Sequence, residues 1–227
     1  MRHFGLLGDK LSHSFSKDFF NKKFSEENIS ALYSNYELND LTNFKDIFKE
    51  KIISGLNVTI PFKSKVIKYL DSLDLISQKI NAVNTILPLY NGNKLSHLKG
   101  YNTDVFGFHQ MIKPYLKPYH ERALIFGTGG ASAAVAYVLK RYNIDVNFFS
   151  RFASPSDENI FIWSDINNYM LNHHLLLVNT TPIGMFPDTS QFIDIPYHTI
   201  DKHHLVIDLI YNPSETYFLK KAKENNA

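Results

Sequence analysis

Apolar residues change their period several times along the chain, and each change marks an element. Residues 3–7 form a short apolar run closed by Gly8, which reads as a strand. From Ser16 the spacing turns helical, with Phe19, Phe20 and Phe24 on one face, and a hydroxyl at that point suits a helix cap. Residues 31–38 alternate as a strand, and Asn39 and Asp40 then stand as caps before Leu41, Phe44, Ile47 and Phe48 at helical spacing. Residues 55–60 form the next strand, ended by Pro61, and a helical stretch follows through Lys65, Ile67 and Leu70. Two strand-like runs, 82–90 and 94–99, flank Asn91-Gly92, a turn whose residues tolerate positive φ and so favour a hairpin.

The texture then shifts. Residues 103–116 read as one more helix and 117–121 as a connector. Beyond it, apolar strands at 123–126, 146–150, 175–179 and 205–210 are interleaved with helical sequence, including an alanine-rich helix at 131–141. Continuous apolar strands alternating with helices imply a parallel sheet covered on both faces. The expected organisation is α/β in two domains: an N-terminal α/β domain over residues 1–102 and a doubly wound dinucleotide-binding domain over residues 103–227.

Composition narrows the function classes. The chain has 227 residues, 44% hydrophobic and 20% charged, enough for a buried core without disulfides or a structural metal. It contains no cysteine, which excludes disulfide scaffolds, thiol nucleophiles and cysteine-ligated zinc, and no metal site is expected. A formal net charge of +2 points away from nucleic acid or membrane as the main partner, and Lys220, Lys221 and Lys223 read as a solvated helix face. No apolar run approaches the roughly 18 residues that would span a bilayer. The N-terminus lacks a signal-peptide pattern, so a cytoplasmic protein is expected.

The sequence Gly127-Thr128-Gly129-Gly130-Ala131-Ser132 follows one apolar strand and opens a helix. Glycines there permit a tight bend and let backbone amides approach a pyrophosphate at the positive helix end. Ser132 replaces the last glycine of the usual motif, so a ligand-free turn is the competing reading. The next strand ends at Ser150-Arg151, with no acid until Asp157, where NAD-binding folds place an acid about 20 residues beyond the glycines. A guanidinium suits a 2′-phosphate, which favours NADP, although Arg151 could also be an ordinary surface arginine.

Three polar clusters in the first half resist explanation as packing. They are His13-Ser14-Phe15-Ser16, the run from Asn57 to Lys63, and Asn81-Ala82-Val83-Asn84-Thr85 followed by Gly100-Tyr101-Asn102-Thr103-Asp104. Any single serine or asparagine among them could be a cap or turn residue. A protonated lysine such as Lys63 can stabilise the charge that builds on a ketone oxygen during hydride addition and can deliver the proton, and a carboxylate such as Asp104 would hold it charged and oriented. The pair could also be a plain ion pair.

Taken in order, these blocks resemble the shikimate dehydrogenase family from Gly5 to about Pro213. The resemblance rests on Ser14 and Ser16, on Asn57-Val58-Thr59-Ile60-Pro61-Phe62-Lys63, on Ala82-Val83-Asn84-Thr85 and on Asn102-Thr103-Asp104 with Gly107. It continues through the glycine-rich turn, Asn179-Thr180-Thr181-Pro182 with Gly184-Met185, and Asp208, Tyr211 and Pro213. It implies a substrate domain joined to a Rossmann domain, with the active site in the groove between them. It implies that Ser14 and Ser16 hold the carboxylate of shikimate or 3-dehydroshikimate, and that Thr59, Asn84 and Asp104 contact the ring hydroxyls with support from Asn57. It further implies Lys63 as the acid–base residue with Asp104 beside it, Tyr211 reaching the site from the second domain, and Thr181 and Met185 lining the nicotinamide pocket.

The family continues with a G-x-x-M-L segment and a glutamine-alanine pair on a closing helix; this sequence stops at Glu224-Asn225-Asn226-Ala227, so either the natural protein is longer or that helix is absent. A second arginine, carried by many NADP-specific members, is replaced by Phe152-Ala153-Ser154-Pro155. The expected activity is NADP-dependent reduction of 3-dehydroshikimate, in the pathway to chorismate and aromatic amino acids. The alternatives are an NAD-using quinate/shikimate dehydrogenase and a non-catalytic shikimate-binding sensor; both monomer and homodimer stay open.

Overall fold

A computed structural model describes residues 1–12, 14–151 and 159–227. The chain divides into two compact units, residues 1–106 and 107–227, each with its own sheet and core.

The first unit is built on six strands: β1 (Arg2–Gly8), β2 (Ala31–Glu37), β3 (Ile53–Val58), β4 (Ser72–Leu73), β5 (Thr85–Asn91) and β6 (Lys94–Tyr101). Their order is β2-β1-β3-β5-β6-β4. β1 runs parallel to β2 and β3, whereas β5 is antiparallel to both β3 and β6. The two halves meet through two paired positions, Leu56 with Ile86 and Asn57 with Thr85. The hairpin forms, but its turn lies one residue later than expected: Asn91 ends β5 opposite Lys94, and Gly92, at φ +60°, and Asn93 make the turn. Leu7, Phe44, Ile53, Leu56, Phe62, Ile86 and Leu98 form the core.

The helical readings here need correction. α1 (Phe15–Glu26) starts one residue before Ser16, so the cap position is Ser14. The spacing at Leu41, Phe44 and Phe48 marks an inward face, since all three are buried, but the backbone is a 3-10 turn (Phe44–Asp46) followed by one turn of α2 (Ile47–Glu50). Asp40 takes the amide of Thr42 at 2.7 Å, so it closes a local turn and caps no helix. The stretch through Lys65 is likewise a 3-10 helix, Lys65–Tyr69. β5 begins at Thr85, three residues later than expected; Ala82 and Val83 are buried in the loop before it, where the Val83 amide bonds the Lys63 carbonyl. Neither β4 nor α3 (Leu75–Ile80) is foreseen by the pattern, although Asp74 caps α3 by accepting from the Ser77 amide.

α4 (Asp104–Ile112) starts at the end of this unit and is shorter than its periodicity suggests. The second unit has five parallel strands: β7 (Arg122–Phe126), β8 (Asp145–Ser150), β9 (Ile160–Ile162), β10 (Leu176–Asn179) and β11 (Leu205–Asp208). Their order, β11-β10-β7-β8-β9, reverses direction between β7 and β10. With α5 (Gly130–Arg141), α6 (Asn168–His173) and α7 (Tyr217–Glu224) this is the expected doubly wound α/β arrangement. Leu124, Phe126, Phe149, Leu171 and Leu177 centre its core. α7 explains the lysine group: Phe218 and Ala222 are buried while Lys220 and Lys223 face solvent. Among the described residues no helix is long and apolar enough to cross a membrane.

Candidate active site

The end of β3, the loop before β5 and the start of α4 converge in the first unit. Lys63 Nζ donates to Asp104 Oδ2 at 2.7 Å, with the side chains 17% and 34% exposed. The loop carrying Lys63 is pinned where its carbonyl accepts from the Val83 amide at 2.7 Å. Asp104 sits in the first turn of α4, where the helix field favours a carboxylate. Asn84 is buried and donates to Asp104 Oδ1 at 2.8 Å, while its own Oδ1 accepts from the Thr103 amide at 2.9 Å.

The network continues away from the ion pair. Thr85 Oγ1 donates to Asn84 Oδ1 at 3.0 Å, and Asn57 Nδ2 donates to Thr85 Oγ1 at 3.3 Å. The phenol of Tyr33 donates to Asn57 Oδ1 at 2.8 Å. Burial pushes this phenol up, opposed by a hydrogen bond from the Ser16 side chain. Tyr33 is thus tied, through Asn57, Thr85 and Asn84, to Asp104 and Lys63. Thr85 and Thr103 lie in the quoted motifs but were given no role there, and Tyr33 lies outside them. Tyr33 carried a signal all the same, as an inward position of the alternating strand β2.

Ser14 occupies the cap position of α1 without a side-chain cap bond. Its Oγ is buried and has no hydrogen-bond partner among the described residues. A buried, unmatched hydroxyl costs about 1–3 kcal/mol, so an acceptor supplied by a ligand would be favoured there. Thr59 follows β3, its amide bonded to the Leu7 carbonyl at 2.9 Å. His13, the first residue of its cluster, lies outside the described residues.

In the second unit the glycine-rich turn lies at the carboxyl end of β7, where the strand order reverses. Gly127 has φ +105°, and a Cβ there would lie 2.8 Å from Thr180 Oγ1 and 3.0 Å from Thr181 Cγ2. At Gly129 a Cβ would meet open space. Gly129 is also the cap residue of α5 and has no side chain to satisfy the first-turn amides, from Gly130 and Ala131 on. These features fit a phosphate-bearing group. Ser132 is buried, and its hydroxyl folds back to the Gly129 carbonyl, bracing the turn. Thr128 Oγ1 lies 3.4 Å from Ser150 Oγ, and exposed Arg151 follows. Residues 152–158, including Phe152-Ala153-Ser154-Pro155 and Asp157, lie outside the described residues.

The loop after β10 stands beside this turn. Asn179 Oδ1 accepts from the Thr181 amide at 2.9 Å and from Thr181 Oγ1 at 2.7 Å, and Thr180 Oγ1 donates to the Phe126 carbonyl at 2.7 Å. Gly184 at φ +91° precedes Met185, which is half-exposed. Asn179 also donates to Asp208 Oδ1 at 3.0 Å, and Thr216 donates to Asp208 Oδ2 at 2.6 Å. Burial raises the Asp208 carboxyl, opposed by these bonds. Tyr211 lies beyond β11 with its side chain exposed. Among the described residues no group of histidine, aspartate or glutamate is arranged to hold a metal ion.

A doubly wound sheet with a glycine-rich turn at its switch point is the build of a nucleotide-binding protein. The shikimate dehydrogenase substrate binding domain family matches residues 6–86. A shikimate dehydrogenase (NADP(+)) of Clostridium perfringens is 35% identical over 99% of this chain and 84% of its own length. The crystal structure of shikimate dehydrogenase 1 from Peptoclostridium difficile superposes with a TM-score of 0.82 at 35% identity, covering 99% of this chain and 82% of that one. A Thermus thermophilus shikimate 5-dehydrogenase, solved with NADP(H) and shikimate, gives a TM-score of 0.80 at 28% identity over 99% and 85% of the two chains. The chain belongs to the shikimate dehydrogenase family.

Proposed function

We propose that the protein is an NADP-dependent shikimate dehydrogenase, reversibly reducing 3-dehydroshikimate to shikimate on the way to chorismate and aromatic amino acids. The observation that carries this reading is the 2.7 Å contact of Lys63 with Asp104 inside a polar network. In the first unit, Ser14 and Ser16 hold the substrate carboxylate, and Asn57, Thr59 and Asn84 bond the ring oxygens. Lys63 faces the ketone oxygen, opposes its developing charge and delivers the proton; Asp104 orients the ammonium.

The reduced nicotinamide of NADPH would supply the hydride and leave as NADP+. Gly127, Thr128, Gly129, Gly130, Ala131 and Ser132 would cradle its pyrophosphate, Ser150 and Arg151 would take the 2′-phosphate, and Thr181 and Met185 would line the nicotinamide pocket, while Tyr211 serves substrate binding. The substrate-binding catalytic domain, expected over residues 1–102, is read as extending to residue 106 so that it includes Asp104, with the NADP-binding domain over residues 107–227. The absence of cysteine from the sequence supports a cytoplasmic location.

The test is a steady-state assay of NADPH and NADH oxidation with 3-dehydroshikimate, repeated with 3-dehydroquinate. Turnover of 3-dehydroshikimate with NADPH is expected to lead. Faster turnover of 3-dehydroquinate with NADH would overturn both the substrate and the cofactor assignment.

A further inference from the structure

An asparagine side chain has two ends of almost equal shape and opposite hydrogen-bonding sense. What a site offers a ligand therefore depends on what fixes the amide. At Asn57 both ends have partners: Oδ1 accepts from the Tyr33 phenol at 2.8 Å, and Nδ2 donates to Thr85 Oγ1 at 3.3 Å. The second hydrogen on Nδ2 is left over. Asn57 is half-buried on β3, and Tyr33 is 3% exposed with its ring stacked on Phe20 at 4.8 Å, so the phenol has little freedom to leave.

We propose that Tyr33 is a positioning residue: by donating to Asn57 Oδ1 it locks the amide so that Asn57 presents a donor N–H to a substrate oxygen. The proposal rests on the dehydrogenase reading of the site. The sense of each bond agrees with it. Tyr33 donates to Asn57, Asn57 to Thr85, Thr85 to Asn84 and Asn84 to Asp104, so the donors run one way and end on the carboxylate that also accepts from Lys63. Burial keeps the phenol protonated, hence a permanent donor. Without that donor, Oδ1 has no fixed partner and the amide can turn its carbonyl toward the substrate hydroxyl.

Tyr33→Phe removes the hydroxyl and keeps the ring on Phe20. It is expected to raise KM for shikimate about tenfold, the scale of one lost buried hydrogen bond. Turnover should stay within about twofold, with KM for NADP and the melting temperature near those of the parent. In an Asn57→Ala background the same change should add nothing, because its effect runs through the amide. Unchanged constants in Tyr33→Phe would overturn the proposal, as would full additivity in the double variant. A purely structural role would instead lower the melting temperature and affect both substrates. If the parent protein neither turns over shikimate nor binds it in a calorimetric titration, the dehydrogenase reading falls and takes this one with it; a working parent with an indifferent Tyr33→Phe removes this one alone.

Discussion

Lys63→Met keeps most of the apolar stem and removes the charge, so it separates chemistry from packing. Turnover should fall by about 10²–10⁴-fold with KM for NADPH nearly unchanged. Near-normal turnover in a folded Lys63→Met protein would assign the proton to Asp104 or to water. Ser14→Ala combined with Ser16→Ala should raise KM for shikimate and spare the cofactor, since Ser14 performs no capping that the change could disturb. A lowered melting temperature with unchanged KM would return both serines to a structural role. Arg151→Ala should weaken NADPH far more than NADH; an equal loss for both would remove the 2′-phosphate assignment. At this scale the sequence placed Lys63, Asn84 and Asp104 in recognisable blocks, and the structure brings the three side chains together. It stayed silent on Tyr33, whose strand position marks it as inward but not as a donor to Asn57, since pairing across strands depends on register.

Among elements, the turn between β7 and α5 makes a paired prediction. Gly127→Ala places a methyl against Thr180 at a φ of +105°, which costs about 1–3 kcal/mol. Gly129→Ala meets open space at ordinary backbone angles. The first variant should therefore lose melting temperature, while the second should keep it and still raise KM for NADPH, because its methyl stands where phosphate is expected. Equal effects on both quantities would deny that the two glycines serve different ends. Four of the five strands of the second unit were readable as apolar runs between helical stretches, whereas β9, only three residues long, was missed. The helices of the first unit were misread for a definite reason. Apolar spacing at Leu41, Phe44 and Phe48 reports which side faces the core, and a 3-10 turn can satisfy it as well as an α-helix.

For the molecule as a whole, acid should be destabilising through two histidines of the second unit. Burial holds His120 and His174 below the ordinary histidine value, partly offset by hydrogen bonds to the His203 and Met170 carbonyls. A depressed folded-state pKa means stability that is full above the unfolded value of about 6.5 and lost as pH falls through the folded values. The urea midpoint should drop between pH 7.5 and roughly 5, and His120→Gln with His174→Gln should flatten that drop; a midpoint equal at both pH values would refute the account. The sheet of the first unit carries a different consequence. Where it changes from parallel to antiparallel pairing, β3 and β5 are stitched at two ladder positions, Leu56 with Ile86 and Asn57 with Thr85, flanked by the Val58 amide on the Asn84 carbonyl. Lys63 hangs from one side of that seam and Asp104 from the other. Any breathing of the sheet there would draw the acid away from its counter-ion, so deuterium uptake at the Val58 amide should slow when shikimate bridges the seam, making one backbone proton a reporter on catalytic readiness.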